Sequence, residues 1–458
     1  MFTAFARSST LAALQRAVQV GCLEIEESGV VHRFGSPENS ENCVRIVVLN
    51  DSFWKQIFLR GDLGFSEAYI MSDIELKSDN LEGFMSLWLE NESRMTSLNS
   101  VFKRLSSAVS GVYIALFGQT LTQARLNCVA GYDQSNELFK AFLSKEMMYS
   151  SALFSEEEGG VHGDLLPQLR RHTADLEQAQ LRKIHHVLRQ ARVQAGQRIL
   201  EFGSGWGAVA IEKALAEERI HEAGLQDLVR VHLMDYRDIP PSFEEKFDAF
   251  ISIEMLEVKP HYYYLKHVGP KYYATYFKIV DKALKSRDAT VVITCSTFPE
   301  WRYPMYQYAM FRVFYDRKRT FLRDFVGLKT SHENTFGQTL TFQPQRLLST
   351  LQMRGRKGRF ILEGVENQGF HYGRTIREWG RRFATNATPE VLAKDFPSVT
   401  DPVIFEAFRR KWRYLFAYAD AGLAHGYLTS HMFTFIRTDG TSIAKALFAG
   451  RCQEVVQK

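Results

Sequence analysis

The stretch RILEFGSGWGAVAIEKALAEERI, residues 198–220, decides how the larger part of this 458-residue chain is expected to fold. Its start, RILEF, is typical of a buried strand, and Gly203, Gly205 and Gly207 follow at once. Glycine lets the backbone turn sharply and come close to a ligand, and the helix predicted after the turn begins with free N–H groups. A strand, a glycine turn and a helix in this order predict the start of a doubly wound α/β domain.

The flanking sequence continues this alternation of helices and strands. Apolar residues recur at helical spacing over 178–195, and Gly196 ends the predicted helix. Three further strands are predicted at RVHLMDY (230–236), FDAFISIEM (247–255) and ATVVITCSTF (289–298), with a helix at 272–285 before the last one. The alternation predicts a mostly parallel sheet that binds its ligands at the carboxyl edge.

The N-terminal part has a different pattern. Between Gly21 and Asn80 the short runs CLEIEE, VVHRF and CVRIVVLN, which have strand propensity, alternate with polar turns. A helical stretch follows over 81–126. We therefore predict a smaller α+β N-terminal domain over 1–125, with an accessory or lipid-binding role, and a Rossmann-like α/β domain over 126–458.

The composition is that of a globular protein, with 45% hydrophobic and 24% charged residues. The formal net charge of +5 favours an anionic partner without requiring one, and a phospholipid surface satisfies it as well as nucleic acid. The five cysteines are scattered along the chain. Their spacing predicts neither a zinc site nor a disulfide framework, and it favours a reducing compartment.

Two segments bear on where the protein acts. The most apolar run, Val109 to Gly118, is about half as long as the roughly 20 residues that a transmembrane helix needs. The first 21 residues contain Arg7 and Arg16 but no acidic residue, a weak feature of mitochondrial presequences. We expect a cytoplasmic protein that is peripheral at membranes, and a mitochondrial location is the weaker alternative.

The residues around the glycine turn suit a particular cofactor. Glu201 stands at the tip of the predicted strand, where a carboxylate meets the cationic group of an amino-acid moiety, and Gly203 and Gly205 follow it. Asp235 and Tyr236 end a later predicted strand and are expected near an adenine ring. The combination favours S-adenosylmethionine. The alternatives are a tight turn without a ligand and a simple turn role for Asp235.

Several stretches, distributed along most of the chain, resemble the cyclopropane-fatty-acyl-phospholipid synthase family and its relatives that methylate mycolic acids and sphingolipids. They are GDLGFSEAYI (61–70), YDQSNELFKAFLSKEMMYSSALF (132–154), EMLE (254–257) with HVGPKYYATYF (267–277), and GVENQGFHYGRTIREW (364–379). The resemblance extends from about Gly21 to Ile436. It implies a class I methyltransferase fold that uses S-adenosylmethionine.

The resemblance also implies a reaction. The methyl group of the cofactor is added to the cis double bond of an unsaturated acyl chain in phospholipid, and a cyclopropane fatty acid forms. The site must exclude water and hold the methyl group against the alkene, because positioning supplies much of the rate. In this family a bound bicarbonate ion is thought to remove the last proton so that the ring closes.

Four residues are candidates for the cluster around that proton acceptor. By resemblance, Glu257 of EMLE and Tyr372 of FHYGRT match its polar side chains. Ser151 stands where the family usually has cysteine, and Thr294 stands about where many members have histidine or glutamine. A hydroxyl can still donate a hydrogen bond to an anion. The alternatives are a core tyrosine for Tyr372 and a surface acid for Glu257.

Two further residues are candidates for contacts with the cofactor. Tyr149 and Ser150 of MMYSS match residues with which the family binds S-adenosylmethionine. His267 has a structural role as its simpler explanation and is not a candidate base.

The chain departs from the family pattern in three places. After Gly205 the sequence enters the helix that normally follows the second strand, so the second strand is predicted to be absent. Residues 258–266 are inserted between Glu257 and His267, and residues 308–356 do not resemble the family. The second strand normally ends in groups that hold the ribose and adenine, so its loss predicts weakened cofactor binding.

Basic and aromatic residues are interleaved in several segments, as suits a surface that attracts phosphate headgroups while rings enter the headgroup layer. These segments are 316–325, 353–360, 377–383 and 408–416. The alternative is solvated helix faces with buried rings. We expect an unsaturated phospholipid substrate, a peripheral contact with the membrane surface and no nucleic acid, and a homodimer stays open.

Two other functions stay open. One is C-methylation of a sphingolipid base without ring closure, although the lack of a predicted membrane span argues against it. The other is a non-catalytic lipid-binding remnant, which the predicted loss of the second strand favours.

Overall fold

Over the residues that it describes, the computed structural model contains two sheets with helices packed around them. It describes residues 2–36, 43–95, 136–165, 175–203, 217, 220–222, 224–232, 234–256, 273–297 and 360–437.

The N-terminal unit is a four-stranded sheet with helices on it. Its elements are α1 (Phe2–Ala17), β1 (Cys22–Glu27), β2 (Val30–Gly35), β3 (Val44–Val48), α2 (Ser52–Arg60), α3 (Asp62–Ile70), β4 (Ile74–Leu76), α4 (Leu81–Glu90) and α5 (Glu92–Met95). The strand order is β2-β1-β3-β4, in which β1 runs parallel to β3 and the two outer pairs are antiparallel. This mixture of helices and mixed strands is the predicted α+β pattern.

The alternation of apolar and charged residues explains the first strands. Leu23 and Ile25 of β1 are buried, whereas Glu24 between them reaches Arg45 on β3 at 3.5 Å. An alternating strand of this kind buries one face and leaves the other to charged groups. Helix α1, which the sequence reading did not predict, is held by its buried Leu14 in the same hydrophobic core.

Cys22 and Cys43 form a disulfide between β1 and the residue before β3. The expectation that the scattered cysteines give no disulfide was therefore wrong. The parallel pairing of β1 with β3 brings the two cysteines together, with their Cα atoms 4.6 Å apart. Pairing between strands brings together residues that are distant in sequence, so the spacing of cysteines along the chain did not reveal it.

The second sheet and its helices form an α/β unit. Its elements are α6 (Asn136–Phe142), α7 (Asp175–Gln190), β5 (Ile199–Phe202), β6 (Ala249–Ile253), α8 (Tyr273–Ala283), β7 (Thr290–Thr297), β8 (Phe360–Asn367), α9 (Gly369–Asn386), α10 (Pro389–Leu392), α11 (Pro402–Ala424) and β9 (Thr429–Arg437). The order is β5-β6-β7-β9-β8. Strands β5, β6 and β7 are parallel, and β9 is antiparallel to both β7 and β8. The predicted α/β fold is confirmed.

The two faces of this sheet pack against different helices. Val187 of α7 forms one cluster with Ile251 and Val292 of the central strands. On the opposite face, Phe250 packs in a cluster with Tyr276 of α8. The carboxyl ends of β5 and β6 therefore lie beside α7.

Helix α11 takes part in two cores. Its Ala417 and Ala421 are buried with the N-terminal strands and helices, whereas its Phe416 and Leu423 are buried with α6 and α9. The predicted domain boundary at 125/126 lies outside the described residues and stays a prediction.

The strand predicted at 230–236 was wrong in its described residues. Residues 230–232 and 234–235 are irregular, and Tyr236 begins a short 3₁₀ turn, Tyr236–Asp238. Leu228 and Val229, just before them, are 81% and 43% exposed, and Met234 is 41% exposed, so these apolar side chains are not packed as they would be in a strand of the sheet.

Strand β5 is an edge of the second sheet within the part of the chain that the structure describes. Ile199 at its start is 37% exposed. Residues 204–216 lie outside that part, so the loss of the second strand stays a prediction.

Among the described helices, none combines the length and the apolar character that crossing a bilayer requires.

Candidate functional site

The segment 150–154 is fixed between α7 and α9. The side-chain amide of Gln180 on α7 donates to the carbonyl oxygen of Ser150 at 2.9 Å. On the other side, the N–H of Ala152 donates to the hydroxyl of Thr375 on α9 at 3.0 Å. These bonds place the segment at the carboxyl edge of the second sheet, next to the tip of β6.

Glu254 follows β6 directly and is the centre of the site. Its N–H donates to the carbonyl oxygen of Thr294 on β7 at 2.9 Å, and its φ is +50°. Its carboxylate accepts one hydrogen bond from the N–H of Ser151 at 3.0 Å and another from the hydroxyl of Tyr372 at 2.9 Å. Ser151 and Tyr372 are both buried. We call Ser151, Glu254 and Tyr372 the Glu254 cluster.

The surroundings control the protonation of this carboxyl group. Burial raises the pKa of Glu254, while the bond from Ser151, the charge of Lys183 and the bond from Tyr372 act in the opposite direction. A carboxylate with a raised pKa binds a proton more strongly than an ordinary glutamate does. The cluster is therefore suited to accept a proton.

Lys183 of α7 lies beneath the site with its side chain fully enclosed. Its Nζ donates to Oγ of Ser150 at 2.5 Å. Burial lowers the pKa of Lys183 to about 8, and the charges of Glu254 and Glu201 oppose that shift. At neutral pH the lysine is still protonated and supplies a positive charge to both carboxylates.

Glu201 and Gly203 lie at the tip of β5. Glu201 is an exposed residue, but burial of its carboxyl group by surrounding protein atoms raises its pKa, and the charge of Lys183 acts in the opposite direction. Gly203 has a φ of +71°, and a Cβ there would lie 3.0 Å from Sδ of Met255. Glycine is strongly favoured at this turn, because it adopts a positive φ without strain and leaves the backbone next to Glu201 uncovered by a side chain of its own.

Asp235 and Tyr236 have structural contacts. The Asp235 carboxylate accepts hydrogen bonds from the N–H and Nε of Arg237, at 3.0 and 2.7 Å, and caps the 3₁₀ turn. Tyr236 is buried, and its ring centroid lies 5.8 Å from that of Phe202 on β5 and 5.2 Å from that of Tyr276. Their expected proximity to adenine stays a prediction.

Tyr149 belongs to an aromatic group beside the Glu254 cluster. Its ring stacks on Trp379 of α9 with centroids 5.2 Å apart, and the ring of Tyr372 meets the same indole edge-on at 6.0 Å. Electron-rich rings at this position stabilise a neighbouring cation through cation–π attraction.

The structure brings several of the predicted site residues together. Ser151 and Tyr372 both donate hydrogen bonds to the carboxylate of Glu254, and the hydroxyl of Ser150 accepts a hydrogen bond from Nζ of Lys183. Thr294 is buried on β7 and is bonded through its backbone to Glu254, and its hydroxyl has no hydrogen-bond partner among the described residues.

Two predicted residues, Glu257 and Gly205, lie outside the described residues, and their roles stay predictions. Within the described ranges, no three His, Cys, Asp or Glu side chains are grouped so that they can bind a metal ion.

The sequence reading missed Glu254 and Lys183, although both left a signal. Glu254 is an acid at the end of a buried strand, at the edge where such sheets bind ligands. Lys183 is a charged residue on the buried stripe of α7, between Ala179 and Val187. A lysine on the apolar face of a helix is unusual unless it has a partner.

The residues at the strand tips fit the methionine part of S-adenosylmethionine. The cofactor has an α-ammonium group, for which the Glu201 carboxylate is a suitable acceptor, and its chain needs the close backbone approach that Gly203 allows. Of the two hydroxyls expected to bind a bicarbonate ion, that of Ser151 donates to the carbonyl oxygen of Ala152 at 3.1 Å and that of Tyr372 donates to Glu254. The backbone N–H of Ser151 is the second donor to Glu254.

Comparison with known proteins gives consistent matches. The family described as mycolic acid cyclopropane synthetase matches residues 119–427. Tuberculostearic acid methyltransferase UfaA1 of Mycobacterium tuberculosis is 29% identical over 335 residues, which is 69% of this chain and 66% of that protein. The cyclopropane-fatty-acyl-phospholipid synthase of Escherichia coli is 26% identical over 384 residues, or 79% of this chain and 82% of that protein.

A fungal protein is also similar. Sphingolipid C9-methyltransferase 1 of Gibberella zeae is 23% identical over 394 residues, or 81% of this chain and 64% of that protein. Since the family match covers more than half of the chain, the chain belongs to the mycolic acid cyclopropane synthetase family of S-adenosylmethionine-dependent lipid methyltransferases.

Proposed function

We propose that this enzyme adds a methylene group to the cis double bond of an unsaturated acyl chain in phospholipid and so forms a cyclopropane fatty acid. The observation that carries the proposal is the Glu254 cluster, because ring closure needs a group that accepts a proton. The similarity to the Escherichia coli synthase supports the same reaction.

S-adenosylmethionine, when bound, supplies an electrophilic methyl group. Glu201 and Gly203 would hold its methionine part at the tip of β5, next to Met255. Strand β6 is the neighbour of β5 in the sheet, and Glu254 follows its carboxyl end. This arrangement directs the transferred carbon toward the proton acceptor, and positioning of this kind supplies much of the rate.

Aromatic side chains can stabilise the carbocation that forms when the alkene is methylated. The ring of Tyr372, which belongs to the Glu254 cluster, and the ring of Tyr149 both contact Trp379. Such rings stabilise a positive carbon and exclude water that would otherwise trap it.

The last step requires an anion on the Ser151 N–H and the Tyr372 hydroxyl. The family resemblance assigns bicarbonate to that position and adds Glu257 and Thr294 to the cluster. The buried hydroxyl of Thr294 supports a polar role at this edge of the sheet.

A peripheral contact with membranes is part of the proposal, although two of the predicted surfaces give it little support. In 377–383, Arg377 is bonded to Asp164, and in 408–416, Arg413 is bonded to Glu82. The charges of these guanidinium groups are balanced within the chain. Segments 316–325 and 353–359 lie outside the described residues.

The second candidate function is C-methylation of a sphingolipid base, which the similarity to the Gibberella zeae enzyme favours. In that reaction the cation loses its proton without closing a ring. A non-catalytic lipid-binding remnant is the third, and the second strand predicted to be absent from the sequence favours it.

One experiment separates these candidates. The purified chain is incubated with methyl-labelled S-adenosylmethionine and vesicles of unsaturated phosphatidylethanolamine or of a sphingolipid, and the lipids are analysed by mass spectrometry and NMR. We expect labelled cyclopropane in the phospholipid. A methyl-branched sphingoid base would replace the proposal with the second candidate. Calorimetry that shows no binding of the cofactor to folded protein would support the remnant.

A further inference from the structure

We propose that the carboxylate of Glu254 is itself the proton acceptor of ring closure, in the position that the family resemblance gives to a bicarbonate ion. The inference rests on the proposed function, because it names the group that completes that reaction.

The hydrogen bonds carry the first step of the inference. The Ser151 N–H donates to Oε1 of Glu254 and the Tyr372 hydroxyl donates to Oε2, so each carboxylate oxygen holds one donor. A bicarbonate ion accepts the same kind of bonds through the same kind of oxygens. It could use these two donors only by displacing Glu254.

The second step concerns the number of negative charges around Lys183. Lys183 already faces two carboxylates, those of Glu254 and Glu201. A bicarbonate ion would bring a third negative charge to the same lysine, and like charges repel more strongly in a buried site than in water. A carboxylate that belongs to the chain supplies the basic oxygen without this additional charge.

The backbone gives the third step. Glu254 has a φ of +50°, which L side chains rarely adopt, and its N–H is fixed on the Thr294 carbonyl oxygen. Strained positions of this kind are concentrated at functional sites. The strain places the carboxylate at the tip of β6 and turns it onto its two donors.

The chemical step balances with this acceptor. The electron pair of the double bond forms a bond to the methyl carbon as the bond from sulfur to that carbon breaks, which leaves the neighbouring carbon positive. Glu254 then takes one proton from the new methyl group, and the electron pair of that C–H bond closes the ring. The carboxyl group releases the proton to solvent, with S-adenosylhomocysteine as the other product.

The test uses Glu254→Gly, because glycine adopts a positive φ without strain and leaves the two donors free. Glu245→Gly is the matched control. Glu245 has a φ of +56° and precedes β6, so it lies near the amino ends of the strands, away from the carboxyl ends that carry the Glu254 cluster. The two variants and the wild type are assayed in buffer freed of carbon dioxide and again with added bicarbonate. Affinity for S-adenosylmethionine is measured for each by calorimetry.

We expect the wild type and Glu245→Gly to form cyclopropane equally well with and without bicarbonate. Glu254→Gly should lose about 100-fold or more of its rate in bicarbonate-free buffer, the size of a general-base contribution. Its affinity for the cofactor should stay within about twofold of wild type, a factor worth only a few tenths of a kcal/mol. Added bicarbonate should restore part of the rate of Glu254→Gly.

A second readout does not depend on turnover. Titration of cofactor-free protein with bicarbonate should give binding heat for Glu254→Gly but none for the wild type. The proposal is overturned if the wild type binds bicarbonate or needs it for activity. It is equally overturned if Glu254→Gly keeps its rate without bicarbonate, or if it loses cofactor affinity together with its rate. A wild type that forms no labelled lipid at all would refute the proposed function instead.

Discussion

The hydroxyl of Tyr372 donates a hydrogen bond of 2.9 Å to the carboxylate of Glu254 across 118 residues of sequence. Helix α9 brings the tyrosine to the tip of β6, where the Ser151 N–H completes the cluster. The bond connects Tyr372, to which the family resemblance gives a role in the site, to Glu254, to which the resemblance gives none. It therefore gives a direct test of the site.

Substitution Tyr372→Phe should lower the rate of cyclopropane formation by about 10- to 100-fold, because a hydrogen bond to a charged group contributes about 1.5–3 kcal/mol. Tyr427→Phe is the control, since the Tyr427 hydroxyl is bonded to Glu92 in the same way, away from the Glu254 cluster. Both variants should lose a similar amount of stability. Equal rates for the two variants would remove Tyr372 from the site. Product analysis and urea unfolding measure the two effects.

The rate of ring formation should depend on the protonation of Glu254. Burial raises its pKa above the ordinary value of 4.5, so the carboxylate becomes protonated, and the rate falls, at a higher pH than for an exposed glutamate. Substitution Lys183→Met removes a positive charge that lowers the pKa of Glu254. The acid limb of the pH–rate profile should therefore move to a higher pH in this variant. The pH dependence of kcat/KM for both proteins checks this, and an unmoved limb would contradict it.

Lys183 should also affect stability at alkaline pH. Its folded pKa of about 8 lies below the ordinary value of 10.5, so between these values the unfolded chain binds the proton that the folded chain has lost. The free energy of unfolding should therefore rise over this window, by up to about 3 kcal/mol. The rise should disappear in Lys183→Met and remain in Lys278→Met, which changes an exposed lysine. Urea unfolding between pH 8 and 10.5 measures it.

Substitution Gly203→Ala should weaken the binding of S-adenosylmethionine. The new Cβ would lie 3.0 Å from Sδ of Met255, so either the Met255 side chain or the turn has to shift. Gly196→Ala is the matched control, because Gly196 has a φ of +83° and nothing within 4 Å of its Cβ position. Both should lose about 1–2 kcal/mol of stability through backbone strain. Calorimetry with the cofactor separates them, and equal affinities would place the cofactor elsewhere.

The partly buried Arg377 of α9 should stabilise the fold. Arg377 donates to Asp164 at 2.7 and 2.8 Å and to Asp420 at 2.8 Å. Although burial opposes ionisation, the bonds from Arg377 hold the pKa of Asp164 below its usual range. Arg377→Met should lower the free energy of unfolding by about 3–5 kcal/mol, because it removes a positive charge and hydrogen bonds from the buried carboxylates of Asp164 and Asp420.

Arg409→Met is the control for that change, because Arg409 makes an exposed ion pair with Glu406. Surface pairs contribute about 0–1 kcal/mol. Chemical unfolding of both variants measures the difference, and equal losses would show that the Arg377 contacts add no stability.

The sequence by itself determined the class of the fold. The run ILEF before Gly203 and the helical spacing of 178–195 predicted a strand and a helix that the structure contains, at Ile199–Phe202 and Asp175–Gln190. These signals are local, because burial on one face imposes a period on the residues. The strand predicted at 230–236 failed because a local apolar pattern does not show whether a neighbouring strand is present to pair with it.

Only the tertiary structure decided which groups meet. Glu254 comes from a strand tip, and Lys183 and Tyr372 come from two helices. The Cys22–Cys43 disulfide connects β1 with the residue before β3. Residue types and spacing indicated Ser151 and Tyr372, but they did not indicate the carboxylate that binds them both. Contacts of this kind depend on how helices pack across the edge of a sheet, and that packing is not periodic in the sequence.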